Sequence, residues 1–522
     1  MEKIVVYDTT LRDGSQTEGI SFSVEDKLKI TEKLNELGVH YIEGGWPGSN
    51  PKDKQYFKFV KQHKPTVSKI VAFGSTRRSN IKSSDDVNLR ELIKSGAETI
   101  TIFGKSWDLH VKDVLRTSLE ENLNMIKDSI LYLKNRKKEV FFDAEHFFDG
   151  YKSNPDYALD TLIAAEDAGA DCIILCDTNG GMLPEYIKDV IGKIRQKIST
   201  SLGIHAHNDS GLAVSNTLAA IESGCSHVQG TITGLGERCG NANLSTIIGI
   251  LHTKMNLRTI PDKKVSLLTE TCYYINEISN IQLPDNTPFV GHSAFAHKAG
   301  VHIDAMLKNP LAYEHIDPKV VGNHRRFITS ELAGKMPIVM KARELDVSLD
   351  KKSPQAKKLL RALQEKEHEG YQFEAADASF ELFMKRSLKR YKPFFKLEGF
   401  KVSTEKRFDG KIFAEASIRV NVDGKEKFSA AEGDGPVDAL DKALRSALNE
   451  FYPELSHMRL VDYKVRVLDT TTGTAARVRV LIESQDNHDS WTTVGVHENI
   501  IEASWEALID SIEYKLLKDY KR

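Results

Sequence analysis

His205 and His207 stand two residues apart in GIHAHND, a spacing that on a strand points both imidazoles to one face. An isolated pair of this kind fits surface or core as well as it fits a ligand set. Asp13, in LRDG near the start of the chain, changes the weight of that pair if the two segments converge. Two imidazoles and one carboxylate with positions left open suit a divalent metal of the Zn, Mn or Mg range, and Asn241 could add a weak oxygen ligand. A 2-oxo acid can chelate such an ion, which then polarises its ketone. Arg12, beside Asp13, could neutralise the oxyanion that forms when a carbon nucleophile attacks that ketone. Arg12 could instead form a salt bridge across the barrel mouth, for example to Glu145, and both roles could hold at once. Thr178 could bond a substrate carboxylate or cap its own turn. The segment HSAFAHKAGVH (292–302) gathers three histidines and Lys298, and Tyr313 follows it. Such a cluster suggests a lid, in which a pair such as His302 and Tyr313 could carry protons in an enolisation.

These residues meet only if the elements carrying them share one end of a sheet. Short apolar runs recur at 4–11, 41–46, 69–75, 99–105, 139–148, 172–178, 202–209 and 227–234, separated by longer polar stretches with helical spacing. In SVEDKLKITEKLNELG, Leu28, Leu34 and Leu37 share one face, Ser23 with Asp26 resembles a capping box, and Gly38 closes the helix. The stretch 154–170 repeats the device, with Asn154 or Asp156 at its start and Gly169 at its end. Eight such alternations within about 250 residues have the rhythm of an α/β TIM (β/α)8 barrel. A doubly wound open sheet would use fewer strands and a Gly-rich first turn, whereas the first turn here reads LRDGSQ. The barrel rule places function at the C-terminal ends of the strands, where Arg12, Asp13, Glu145, Thr178, His205, His207 and Asn241 fall. GLGERCGN (234–241) has the wrong spacing and place for a dinucleotide fingerprint.

The expected organisation is a catalytic barrel over 1–264, a helical linker or lid over 265–393, and a C-terminal α+β regulatory domain over 394–522. The last reads as two βββα units with turn signals at Asp409-Gly410 and Asp423-Gly424. Its helices carry Val437, Leu440, Leu444, Leu448 and Ile501, Trp505, Leu508, Ile512, Leu516 at helical spacing. The Lys/Arg runs at 351–370 and 384–393 read as solvated helix faces. The 522 residues are 28% charged and 40% hydrophobic with a formal net charge of -2. That balance gives no global field for nucleic acid or an anionic membrane surface, and no apolar run reaches bilayer-spanning length. The opening MEKIVVYDTT enters a strand at once rather than a leader. Five cysteines form no zinc-type CxxC pair and no complete disulfide set, and Cys172, Cys176 and Cys225 read as core thiols. The expectation is a cytoplasmic protein.

DTTLRDGSQ (8–16), GIHAHND, GLGERCGN and HKAGVH (297–302) together resemble the 2-isopropylmalate, homocitrate and citramalate synthase family, part of the DRE-TIM metallolyases. The resemblance spans nearly the whole chain, and the two-unit tail fits the end-product-binding regulatory domain these synthases often carry. It implies a Claisen condensation of acetyl-CoA with a 2-oxo acid, made irreversible by hydrolysis of the acyl-CoA product. Carried over, Asp13, His205 and His207 are metal ligands with Asn241 as a fourth candidate. Arg12 stabilises the oxyanion, Glu145 positions substrate or water, and His302 with Tyr313 serves enolisation. GGWPGSNPKD (44–53) and YEHIDPKVVGNHRR (313–326) look most like the citramalate-forming branch. That implies pyruvate as acceptor, isoleucine as feedback ligand, and an acceptor pocket lined by Asp143, Phe103 and the loop 75–80. A homodimer is expected from the paired βββα units.

Rival expectations are the same chemistry on 2-oxoisovalerate or 2-oxoglutarate, a 3-hydroxy-3-methylglutaryl-CoA lyase, a biotin-dependent carboxyltransferase, or a non-catalytic amino-acid sensor. The two-unit tail argues against the lyase, the absence of an evident biotin-lysine segment against the carboxyltransferase, and the complete set Arg12, Asp13, His205, His207 against the sensor.

Overall fold

A computed structural model of the chain describes residues 4–62, 64–297, 300–327, 353–373, 376–406, 408–468, 476–487 and 489–520. It forms two compact units, Met1–Phe295 with His315–Arg325, and Ala296–Glu314 with Arg326–Arg522.

The first unit is a closed parallel barrel of eight strands. They are β1 (Val5–Asp8), β2 (Tyr41–Gly45), β3 (Lys69–Ser75), β4 (Thr99–Lys105), β5 (Glu139–Glu145), β6 (Cys172–Asp177), β7 (Leu202–Ala206) and β8 (His227–Gly230). Each apolar run named above supplies one strand. The seam closes where β1 pairs with β8, Val5 opposite His227 and Asp8 opposite Gly230. The capping expectations hold. Ser23 and Asp26 bond each other's backbone at the start of the helix Val24–Leu37, and Gly38 ends it at φ 90°. Asn154 accepts from the Tyr157 amide to start the helix Pro155–Asp167.

Strand alternation divides the side chains. One set packs outward under the helices, including Val6, Ile42, Ala72, Ile100, Ile102, Val140, Phe142, Ile173, Leu175 and Ile204. The other fills the interior, where Tyr7, Val71, Phe141, Cys172, Ile174 and Cys176 form a separate apolar plug. A plug of this kind floors the barrel and leaves its upper end for polar groups. The described cysteines are all unpaired, with Cys239 exposed and the other four buried. His227 closes the plug from below, with its ring centroid 5.3 Å from that of Tyr7 and 5.1 Å from that of Phe141.

Beyond the barrel, helices cover Leu268–Ile278, Gly300–Lys308, Pro354–His368 and Asp377–Ser387. Part of the expected helical linker, residues 328–352, lies outside the described residues, as does Lys298. The basic run on Pro354–His368 is a solvated face, its Arg361 and Lys366 bonded to Glu365 and Glu369. The second unit contains the two βββα units. Antiparallel strands Lys396–Lys406, Ile412–Val422 and Lys425–Gly433 precede the helix Pro436–Leu448, and Arg459–Val467, Val478–Gln485 and Ser490–His497 precede the helix Ile500–Tyr520. Asp423 and Gly424 both take positive φ, 47° and 88°, which suits the strand twist of a two-residue hairpin. Among the described residues no helix is long and apolar enough to cross a membrane.

Burial lowers the His227 pKa to about 3 from its ordinary 6.5. The folded state therefore keeps the ring neutral while an unfolded chain charges it. Its contribution to stability is present above pH 6.5 and is lost as pH falls from 6.5 towards 3. Urea unfolding between pH 7 and 4 should show a shallower loss of stability in His227→Gln than in the wild type. Identical slopes would show that this ring does not govern acid sensitivity.

Candidate active site

A tight turn follows β1. Asp8 accepts from the Thr10 amide (2.9 Å) and hydroxyl (2.8 Å), and the Gly14 amide donates to the Thr9 carbonyl. This turn sets Arg12 and Asp13 side by side at the C-terminal end of the barrel. Arg12 Nε donates to Glu43 Oε1 at 2.5 Å, Nη1 donates to Asp13 Oδ1, and the guanidinium carbon sits 3.8 Å from the Phe73 ring centre. Glu43 is fully buried and also accepts from the Tyr7 hydroxyl, which contacts Thr101 Oγ1 at 2.8 Å. Burial pushes the Glu43 carboxyl upward against the pull of Arg12. For Asp13 the balance reverses. Burial raises it, but Arg12, His205 and His207 outweigh that and hold it below the usual carboxylate range.

The imidazoles lie on the other side of Asp13. His205 Nε2 is 3.6 Å from Asp13 Oδ2 and 3.3 Å from His207 Nε2. Burial lowers both imidazole pKa values, that of His207 to about 3, so both rings are neutral near pH 7 and have nitrogen lone pairs to offer. Asn241 joins them through the loop 234–241, which runs back beside β7 in an antiparallel bridge between His207 and Asn241. The loop needs its glycines. A Cβ at Gly240, whose φ is 87°, would lie 2.0 Å from the Gly234 carbonyl oxygen.

Among the described residues no three His, Cys, Asp or Glu side chains close into a finished coordination set. The two separations above are nevertheless edges that donors held about 2.0–2.2 Å from one centre would span, about 3.0–3.6 Å. Asp13 Oδ2 and Asn241 Oδ1 are buried with no hydrogen-bond partner, and buried oxygens of that kind suit a cation. The donor set therefore fits a divalent metal.

Other expected residues are placed differently. Arg12 does not bridge to Glu145. Glu145 is the register partner of Lys105 on the neighbouring strand and pairs with it, whereas Glu43 on β2 is within reach of β1. Thr178 Oγ1 accepts from the His146 amide at 2.9 Å, which leaves its own hydroxyl hydrogen free to donate. Phe103 stacks on Phe73 with centroids 5.5 Å apart. Asp143 is buried and accepts from Gln229 Nε2 at 3.2 Å. In the second unit the His302 and Tyr313 rings are 4.3 Å apart.

Residues 3–272 match the family described as HMGL-like, 289–369 the homocitrate synthase post-HMGL domain-like family, and 374–516 the LeuA allosteric (dimerisation) domain. An (R)-citramalate synthase of Aquifex aeolicus is 54% identical over 99% of this chain and 98% of its own length. One of Geobacter sulfurreducens is 54% identical over the same shares. The chain belongs to the (R)-citramalate synthase family. A 2-isopropylmalate synthase of Methanocaldococcus jannaschii is more distant, at 32% identity over 100% of this chain and 96% of its own length.

Sequence reasoning missed Glu43, Gln229 and Lys105. The signal for the first two was present in YIEGGW and HVQGT. Each is a polar residue in a short apolar run, on the same strand face as its neighbours Tyr41 and His227.

Removing one partner of a buried ion pair is more costly than exchanging it for a neutral hydrogen-bonding group. Glu43→Ala should lower unfolding stability in urea by about 3–5 kcal/mol. Glu43→Gln, which can still accept from Arg12 or Tyr7, should lose clearly less. Equal losses in the two variants would show that Glu43 contributes through its charge rather than through hydrogen bonding or volume.

Proposed function

We propose that the chain condenses acetyl-CoA with pyruvate and hydrolyses the resulting CoA ester, so that acetyl-CoA, pyruvate and water give (R)-citramalate and free CoA. The observation that carries this reading is the near-full-length likeness to (R)-citramalate synthases, at 45–54% identity in five relatives. Asp13, His205, His207 and Asn241 would hold a divalent metal (Mn, Mg or Zn). When bound, such an ion supplies Lewis-acid polarisation of a ketone.

The remaining work falls to the protein's own groups. Arg12, clamped by Glu43 against Phe73, offers a fixed positive charge to the oxygen that gains charge as the new carbon–carbon bond forms. Because the guanidinium is already oriented, little reorganisation accompanies the reaction. Thr178 donates its free hydroxyl hydrogen to the pyruvate carboxylate. Phe103 and Asp143 shape the acceptor pocket, and Glu145 positions substrate or the hydrolytic water. His302 with Tyr313 takes the methyl proton of acetyl-CoA. Residues 394–522 serve as the effector-binding and pairing domain of a homodimer, with isoleucine as the inhibitory ligand. The reading places the enzyme in the cytoplasm, acting on small molecules rather than on nucleic acid or a membrane.

The test is thiol release from acetyl-CoA with Mn2+, offering pyruvate, 2-oxoisovalerate and 2-oxoglutarate in turn, each with and without chelator. Release with pyruvate that the chelator abolishes is expected. Preference for another acceptor would keep the chemistry and overturn the substrate, and release with none would overturn the synthase. Arg12→Lys, which keeps charge but loses the planar fork, should lower kcat by about 100- to 1,000-fold. Isoleucine should slow the wild-type enzyme, and its failure to do so at millimolar concentration would remove it as the effector.

A further inference from the structure

An imidazole can coordinate a cation only through a nitrogen that carries no hydrogen. A neutral ring has two such arrangements, and a neighbour's hydrogen bond selects between them. His205 and Gln229 are register partners on β7 and β8, so their side chains leave the sheet in the same direction. Gln229 is fully buried. Its Oε1 lies 2.9 Å from His205 Nδ1. An amide oxygen can only accept, so Nδ1 must carry the hydrogen. The lone pair is then on Nε2, the atom 3.3 Å from His207 Nε2 and 3.6 Å from Asp13 Oδ2. The other end of the amide donates to Asp143 Oδ1 at 3.2 Å. That bond opposes rotation of the amide by half a turn, which would present NH2 to Nδ1 and drive the ring hydrogen onto Nε2.

We propose that Gln229, anchored by Asp143, is a positioning residue that holds His205 in its Nδ1-protonated form and so keeps Nε2 available to the metal ion. The proposal rests on the reading of Asp13, His205 and His207 as metal ligands. It gives Asp143 a task that acceptor-pocket shaping does not require, since this carboxyl acts on His205 through Gln229. A purely structural role would need only that residue 229 fill its volume between β7 and β5.

The two roles separate in the affinity of the full-length protein for Mn2+, measured by calorimetric titration and independent of turnover. Gln229→Leu fills similar space but neither accepts nor donates, and should weaken Mn2+ binding about 10- to 100-fold. The paired exchange Gln229→Glu with Asp143→Asn moves the carboxylate next to His205 and the amide behind it. It keeps an acceptor for Nδ1–H and the link to position 143, so Mn2+ affinity should match or exceed the wild type. Gln229→Leu binding Mn2+ within twofold of the wild type would overturn the proposal, and so would an exchange variant that binds as weakly as Gln229→Leu. A wild-type protein that binds no Mn2+ would sink the metal reading itself, and this inference with it.

Discussion

A guanidinium taken out of water must be met by carboxylates, and Arg12 is met by two. Much of the barrel mouth follows from that requirement. Glu43 has to point inward from β2, so Tyr7 and Thr101 surround it with hydroxyls. The flat face of the guanidinium needs an aromatic neighbour, supplied by Phe73, which in turn stacks on Phe103 and meets Trp46 edge-on. Asp13 gives one oxygen to Arg12 and turns the other towards His205. Arg12 and Asp13 thus link the first four strands of the barrel to β7.

The architecture was legible because the barrel repeats one rule eight times. Apolar runs, capping residues such as Ser23 and Asn154, and closing glycines at 38 and 169 are local signals that long-range packing did not override. The meeting of Asp13 with His205 and His207 was legible for a related reason. Asp13, His205 and His207 carry chemistry in their residue types, and the barrel rule says where strand ends meet. What could not be read was pairing. Glu145 ends β5 and Glu43 sits in the middle of β2, and both are carboxylates. Only register decides that Lys105 takes the first while Arg12 takes the second. Gln229 was hidden for a different reason, since an amide in an apolar strand looks like filler until its two ends are seen to face His205 and Asp143.

The tail follows the same physics with another period. In the first βββα unit, Ala414, Ala416, Ile418, Val420 and Val422 alternate along the central strand and bury one face against Leu440, Leu444 and Leu448. In the second, Trp505, Leu508, Ile512 and Leu516 do the same work from the helix side, and Trp491 Nε1 donates to the Ser511 carbonyl oxygen at 3.2 Å. The repeat was visible in sequence because each unit repeats strand alternation and then helical spacing in the same order.

The seam between β1 and β8 has a consequence for how the protein is made. Asp13 leaves the ribosome well before His205, Gln229 and Asn241, which emerge near the end of the barrel's synthesis. Until β8 docks on β1, Arg12 and Asp13 have no imidazoles to face, and the early strands must wait with a charged turn exposed. Closing this span is a non-local step, since Val5 and Asp8 pair with His227 and Gly230. A nascent or partly unravelled chain therefore cannot assemble the reactive centre. Competence appears only when the ring is complete, which confines the chemistry to finished molecules.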